Sequence, residues 1–134
     1  MTKKGSRPPI ELIKKFFQLM LTKQFKQAEQ LLNDIRRRIR DADWNHGYLH
    51  ALEGMMYVRR TNYDRYAFLL NLDISDVNEL KKNYARFVKH SKCRLHAIFD
   101  RGFFSAWADF IKYLLENSKL NSKRLTASNN KSIK

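Results

Sequence analysis

Ile10, Ile13, Phe16, Phe17 and Met20 recur every three or four residues, the spacing that gathers apolar side chains on one face of an α-helix. Leu12 and Leu19 widen that face, and Pro8-Pro9 suits a first turn, so a well-buried helix is predicted from there to about Thr22. "KQFKQAEQLLNDIRRRIR" repeats the pattern through Phe25, Ala28, Leu32, Ile35 and Ile39. Asp41 or Asp43 can cap a third helix over about Trp44–Arg60, with Trp44, Tyr48, Leu52, Met55 and Met56 turned inward. Gly47, Ala51 and Gly54 form a second stripe of small residues. Each glycine costs a helix ~1 kcal/mol, so close approach of a neighbouring helix is the expected reason.

"TNYD" reads as a turn, followed by a short helix over about Arg65–Asn71. Ser75 then stands as cap of a further helix carrying Val77, Leu80, Tyr84, Phe87, Ser91, Leu95 and Ile98. Two readings stay open: one long helix with Gly102 as its C-cap, or a break near Ser91. A last helix over Phe103–Asn117 uses Phe103, Trp107, Phe110, Ile111, Leu114 and Leu115. No strand pattern competes with these periods. The expected fold is an all-α, compact bundle of five or six helices built from antiparallel hairpins, as one domain over 9–118. Residues 1–8 read as a flexible basic N-terminus and 119–134 as a disordered basic tail.

At 43% hydrophobic the chain can build a core. No apolar run approaches the ~18 residues of a membrane span. Cys93 is the one cysteine, which leaves no internal disulfide. A cytoplasmic protein with no membrane partner and no cofactor is expected.

The net charge of +14 changes this picture through its distribution. Residues 1–10, 80–99 and 117–134 together hold fourteen Lys or Arg and no acid, and the rest of the chain is balanced. The one internal window, "LKKNYARFVKHSKCRLHAIF", therefore carries charge that the fold does not neutralise along the sequence. On a helix, Lys82, Arg86 and Lys89 share one side and Lys81 and Lys92 flank them. Cations at ~5–6 Å spacing match backbone phosphates. Lys81, Lys82, Arg86, Lys89, Lys92 and Arg94 are the candidate contacts, with Arg37 and Arg40 as additions from "RRRIR". A merely solvated face would intersperse Glu or Asp, which relieves like-charge repulsion one turn apart.

The expected function is non-catalytic nucleic-acid binding, RNA slightly favoured over DNA, as an accessory in a larger assembly. The alternative is a helical adaptor for an acidic protein surface. Around "KQFKQAEQLL" and "GYLHALEG" the chain loosely resembles tetratricopeptide repeats, which pair a small-residue helix with a Phe-x-x-Ala helix. Such modules imply a protein-binding groove, here between helices one and three.

Other chemistry is thinner. His46, His50 and Glu53 share a helix face, but no third His or Cys is placed beside them, so no metal is expected. Arg40 and His46, with Asp41 after the arginine, are similar to the Arg-x4-6-His motif of HEPN-type ribonucleases. That resemblance implies an Arg and a His acting on the RNA phosphate and 2′-hydroxyl. The competing reading is a capping turn with a surface histidine, and no enzyme activity is expected. No glycine-rich phosphate loop and no nucleophile–base pair stands out.

Overall fold

The computed structural model describes residues 7–61 and 76–133, the side chains of 118–133 excepted. Five helices, and no strand, occur among the described residues: α1 (Ile10–Leu21), α2 (Phe25–Arg38), α3 (Asp43–Thr61), α4 (Val77–Ser91) and α5 (Ile98–Ile133). The expected short helix at Arg65–Asn71, Ser75 and the first six residues lie outside the described residues, as do the side chains of the expected tail. No described helix is long and apolar enough to cross a membrane.

The first three helices follow the apolar periods closely. In α1, Ile13, Phe16, Phe17 and Met20 are fully buried. Its end is closed by a turn in which Gln24 N–H donates to the Leu19 carbonyl at 2.8 Å and Lys23 N–H to that of Met20 at 3.1 Å. Lys23 there takes a left-handed φ of 63°. In α2, Ala28, Leu32 and Ile35 face the core. The next segment turns at Ile39, which is also buried. At the start of α3, Asp43 lies inside the first turn, and the Asp41 carboxylate meets the His46 ring at 2.7 Å.

α5 is the spine. Its inner face carries Ala106, Phe110, Ile111 and Leu114, all buried. Phe110 and Tyr113 lie 5.1 and 5.6 Å from the Phe17 ring of α1, and Trp107 stacks on Phe87 of α4 at 5.8 Å. The glycine expectation is met at one position with a partner that the sequence did not suggest. A Cβ at Gly47 would overlap the Phe99 carbonyl, and a Cβ at Gly102 would overlap the Trp44 carbonyl. The two glycines let α3 and α5 cross backbone to backbone. Gly102 is therefore a buried crossing residue within α5 and not the C-cap of the preceding helix. Deeper along the same contact, the Tyr48 hydroxyl donates to the Asp109 carboxylate at 2.7 Å.

α4 ends at Ser91, so the break is the correct alternative. The repeat that carries Leu95 and Ile98 in line with Leu80 and Phe87 is therefore not kept: Leu95 lies in the turn and is 95% exposed, and Ile98 is 56% exposed. The helical repeat stops four residues before Leu95, so its phase no longer points at the core. Among the described elements α4 packs on α5 alone, whereas α2 packs on both α1 and α3.

Candidate nucleic-acid interface

The cap of α4 is Asp76, whose carboxylate accepts the Glu79 N–H at 3.1 Å. Glu79 adds a second acid to the positive end of the helix dipole. Leu80 and Asn83 are buried, and Tyr84 and Phe87 pack against the core at its edge. These anchors fix the rotation of the helix. What remains outward is Asn78, Glu79, Lys81, Lys82, Ala85, Arg86 and Lys89, all exposed. Lys92, the C-cap, and Arg94, in the turn beyond, continue the exposed cationic surface around the helix end. None of these six cations makes an ion pair with a described residue.

The turn from Lys92 to Ala97 is clasped. Ser91 Oγ donates to the Val88 carbonyl at 2.7 Å, and Arg101 Nε reaches back from α5 to the Ser91 carbonyl at 3.1 Å. His90 Nδ1 and His96 Nε2 share a hydrogen bond at 3.1 Å, one ring supplying the N–H and the other the lone pair. Phe104 lies beneath both rings, with centroids 4.9 and 5.4 Å away. Sequence reading missed this pair. The two histidines are six residues apart across a helix end, so their meeting depends on a break that no Gly or Pro announces.

The arginine run of α2 behaves differently. Arg36 is held by Glu53 of α3 and donates to Asn33 Oδ1 at 2.9 Å. Arg37 and Arg38 both reach Asp34, at 3.4 and 3.1 Å. At the end of α3, Arg60 meets Glu29 at 3.4 Å and Arg59 donates to the Leu21 carbonyl at 2.9 Å. Arg40 is exposed, and its carbonyl accepts the Asn45 amide at 2.9 Å. Since α2 and α4 do not pack together, Arg37 and Arg40 are not brought against the α4 row.

The suspected metal face is divided among other duties. His46 pairs with Asp41, Glu53 with Arg36, and His50 lies against the rings of Phe99 and Phe103 at 5.7 and 6.0 Å. Between α2 and α3 lies an open cavity of about 310 Å³, with Leu32 and Met56 in its wall and the Arg36–Glu53 and Arg60–Glu29 pairs at its rim. The chain matches no protein-family model, and no curated protein or solved structure is significantly similar to it.

Proposed function

We propose that this protein binds nucleic acid, RNA in preference to DNA, as a non-catalytic accessory of a larger assembly, through the outer face of α4. The observation that carries the reading is the exposed row Lys81, Lys82, Arg86, Lys89, Lys92 and Arg94, without a carboxylate partner among the described residues. Like charges one helical turn apart cost about 0.2–0.5 kcal/mol per pair. A polyanion removes that repulsion and gains the entropy of released counterions. The preference for RNA rests on the sequence, in which no recognition helix of a helix-turn-helix is evident.

A salt titration by fluorescence anisotropy tests this, with single-stranded RNA, structured RNA and duplex DNA as ligands. Combined reversal of Lys82→Glu, Arg86→Glu and Lys89→Glu should weaken RNA binding about a hundredfold near 0.1 M salt. It should also flatten the salt slope on a single strand by about two units, because three phosphate contacts are lost. Absence of binding near 50 mM salt, or unchanged affinity after reversal, would overturn the reading.

A further inference from the structure

Three of the five large apolar side chains that the described residues leave exposed lie together at the α4–α5 turn: Leu95 (95%), Ile98 (56%) and Phe99 (37%). Leu95 is presented by a turn held from inside by the His90–His96 bond and the Arg101 clasp. Its exposure is thus built into the turn. Phe99 does not stand alone. Its ring lies 5.7 Å from that of His50, itself exposed, so two rings form a small platform at the start of α5. Along the chain the exposed charged residues that flank this cluster are Lys89, Lys92 and Arg94 before it and Asp100 after it, and Arg101 is engaged in the clasp.

A ligand matching this surface needs anions in a row that leads onto flat apolar faces. A single nucleic-acid strand has that construction, since its bases are free of pairing partners and each is joined to a phosphate. A duplex offers the phosphates and hides the base faces. Aromatic rings serve single strands as stacking platforms, and apolar side chains such as Leu, Ile and Phe insert between base steps at a cost in unstacking, a cost that is least where no base pair has to open. We infer that the α4–α5 turn contacts unpaired RNA bases through Leu95, Ile98 and Phe99 while the α4 cations hold the adjoining phosphates. This rests on the proposed nucleic-acid reading and adds to it the class of strand recognised.

The test compares a short single-stranded RNA with a fully paired duplex of the same strand length at one salt concentration. The expected result is tighter binding of the single strand. Leu95→Ser with Ile98→Ser should weaken the single strand about fivefold or more, leave the duplex nearly unchanged and keep the salt slope, because no phosphate contact is lost. A 2-aminopurine base in the strand, quenched in the free strand by stacking on its neighbours, should brighten when the unaltered protein binds and separates the bases, and brighten less with the variant. Circular dichroism melting checks that the variant folds; Leu95→Ser alone carries the same comparison if it does not. Equal affinity for both ligands, or an equal loss on both, would overturn the inference and leave the α4 reading standing. No binding to either ligand removes both. If the variant instead loses binding to phosphatidylserine vesicles while its RNA affinity is unchanged, the turn is a lipid contact and the inference fails.

Discussion

The cations of α2 and those of α4 are the same residue types on helices of similar length, yet their surroundings differ. Three consecutive arginines at the end of α2 each find a carboxylate, from Asp34 on their own helix or Glu53 on the next. The cations of α4 find none among the described residues. The supports differ as well. α2 is wedged between α1 and α3, whereas α4 rests on α5 alone. Local sequence density of charge therefore says little about use. In the more conspicuous run, "RRRIR", Arg36 ties α2 to α3 and Arg37 and Arg38 fold back on Asp34 of their own helix, whereas the more dispersed row has no described carboxylate.

The harshest way to break the comparison is at the α3–α5 crossing, because α4 reaches the rest of the described molecule only through α5. Gly47→Ala would gain ~1 kcal/mol of helix propensity. It would also drive a methyl group into the Phe99 carbonyl, which is backbone and cannot rotate away. Overpacking of that kind costs about 3 kcal/mol, so the clash wins. Urea unfolding should show the loss. RNA affinity measured well below the unfolding midpoint should fall with it, since the support of α4 and the Phe99 platform are displaced together. The Arg36–Glu53 pair joins α3 to α2 six residues further along the helix than Gly47 and should survive in any folded fraction.

How much of this could be read from the chain follows from what each feature depends on. The apolar faces of α1 to α3 depend on local periodicity, and Ile13, Phe17, Leu32 and Leu52 lie buried as that periodicity requires. The outward direction of Lys82, Arg86 and Lys89 follows from the inward direction of Leu80 and Phe87, so it too was legible. The end of α4 was not, because "SKCRLHA" contains no Gly or Pro and its helical phase could continue past Ser91. Leu95 was misplaced for that reason alone. The cap shows a milder case. Ser75 and Asp76 are both good N-cap residues, and only geometry selects Asp76. The partners of the arginines depend on contacts such as Arg36 to Glu53, seventeen residues apart, which no local rule supplies.

A gentler perturbation uses the interior tie between the two regions. Burial, then the neighbouring Asp109 charge and hydrogen bond, hold the Tyr48 hydroxyl well above the ordinary tyrosine range. Burial also raises Asp109, against the opposing pull of Tyr48 and Lys112. For Tyr48 the folded protein keeps a proton that the unfolded chain releases above pH ~10, so this contribution to stability is complete below pH ~10 and is lost as pH rises toward the folded value. Tyr48→Phe should cost about 2 kcal/mol at neutral pH, because a half-buried carboxylate loses its donor. It should also make the alkaline decline shallower, without abolishing it, because burial raises Tyr113 in the same direction. A decline of unchanged steepness in Tyr48→Phe would mean that the tie does not couple α5 to α3 through this proton.

The smallest effects decide the comparison most directly. The Arg36–Glu53 pair is about half exposed, at 45% and 46%, so Glu53→Gln should cost under about 1 kcal/mol in urea unfolding. It also frees Arg36 and removes a negative charge, so RNA affinity should stay level or rise slightly. Lys82→Gln should do the reverse. Stability should stay within about 0.5 kcal/mol, since Lys82 is exposed and has no described ion pair, and RNA affinity should drop a few-fold with a shallower salt slope. The two substitutions both act on exposed side chains, but one frees a partnered cation and the other removes an unpartnered one. Arg36→Gln is the matching loss on α2 and should leave RNA affinity nearly level. If Arg36→Gln lowered affinity as much as Lys82→Gln does, partnership would not be the property that separates the two regions, and the α2 arginines would belong to the binding surface despite their carboxylates.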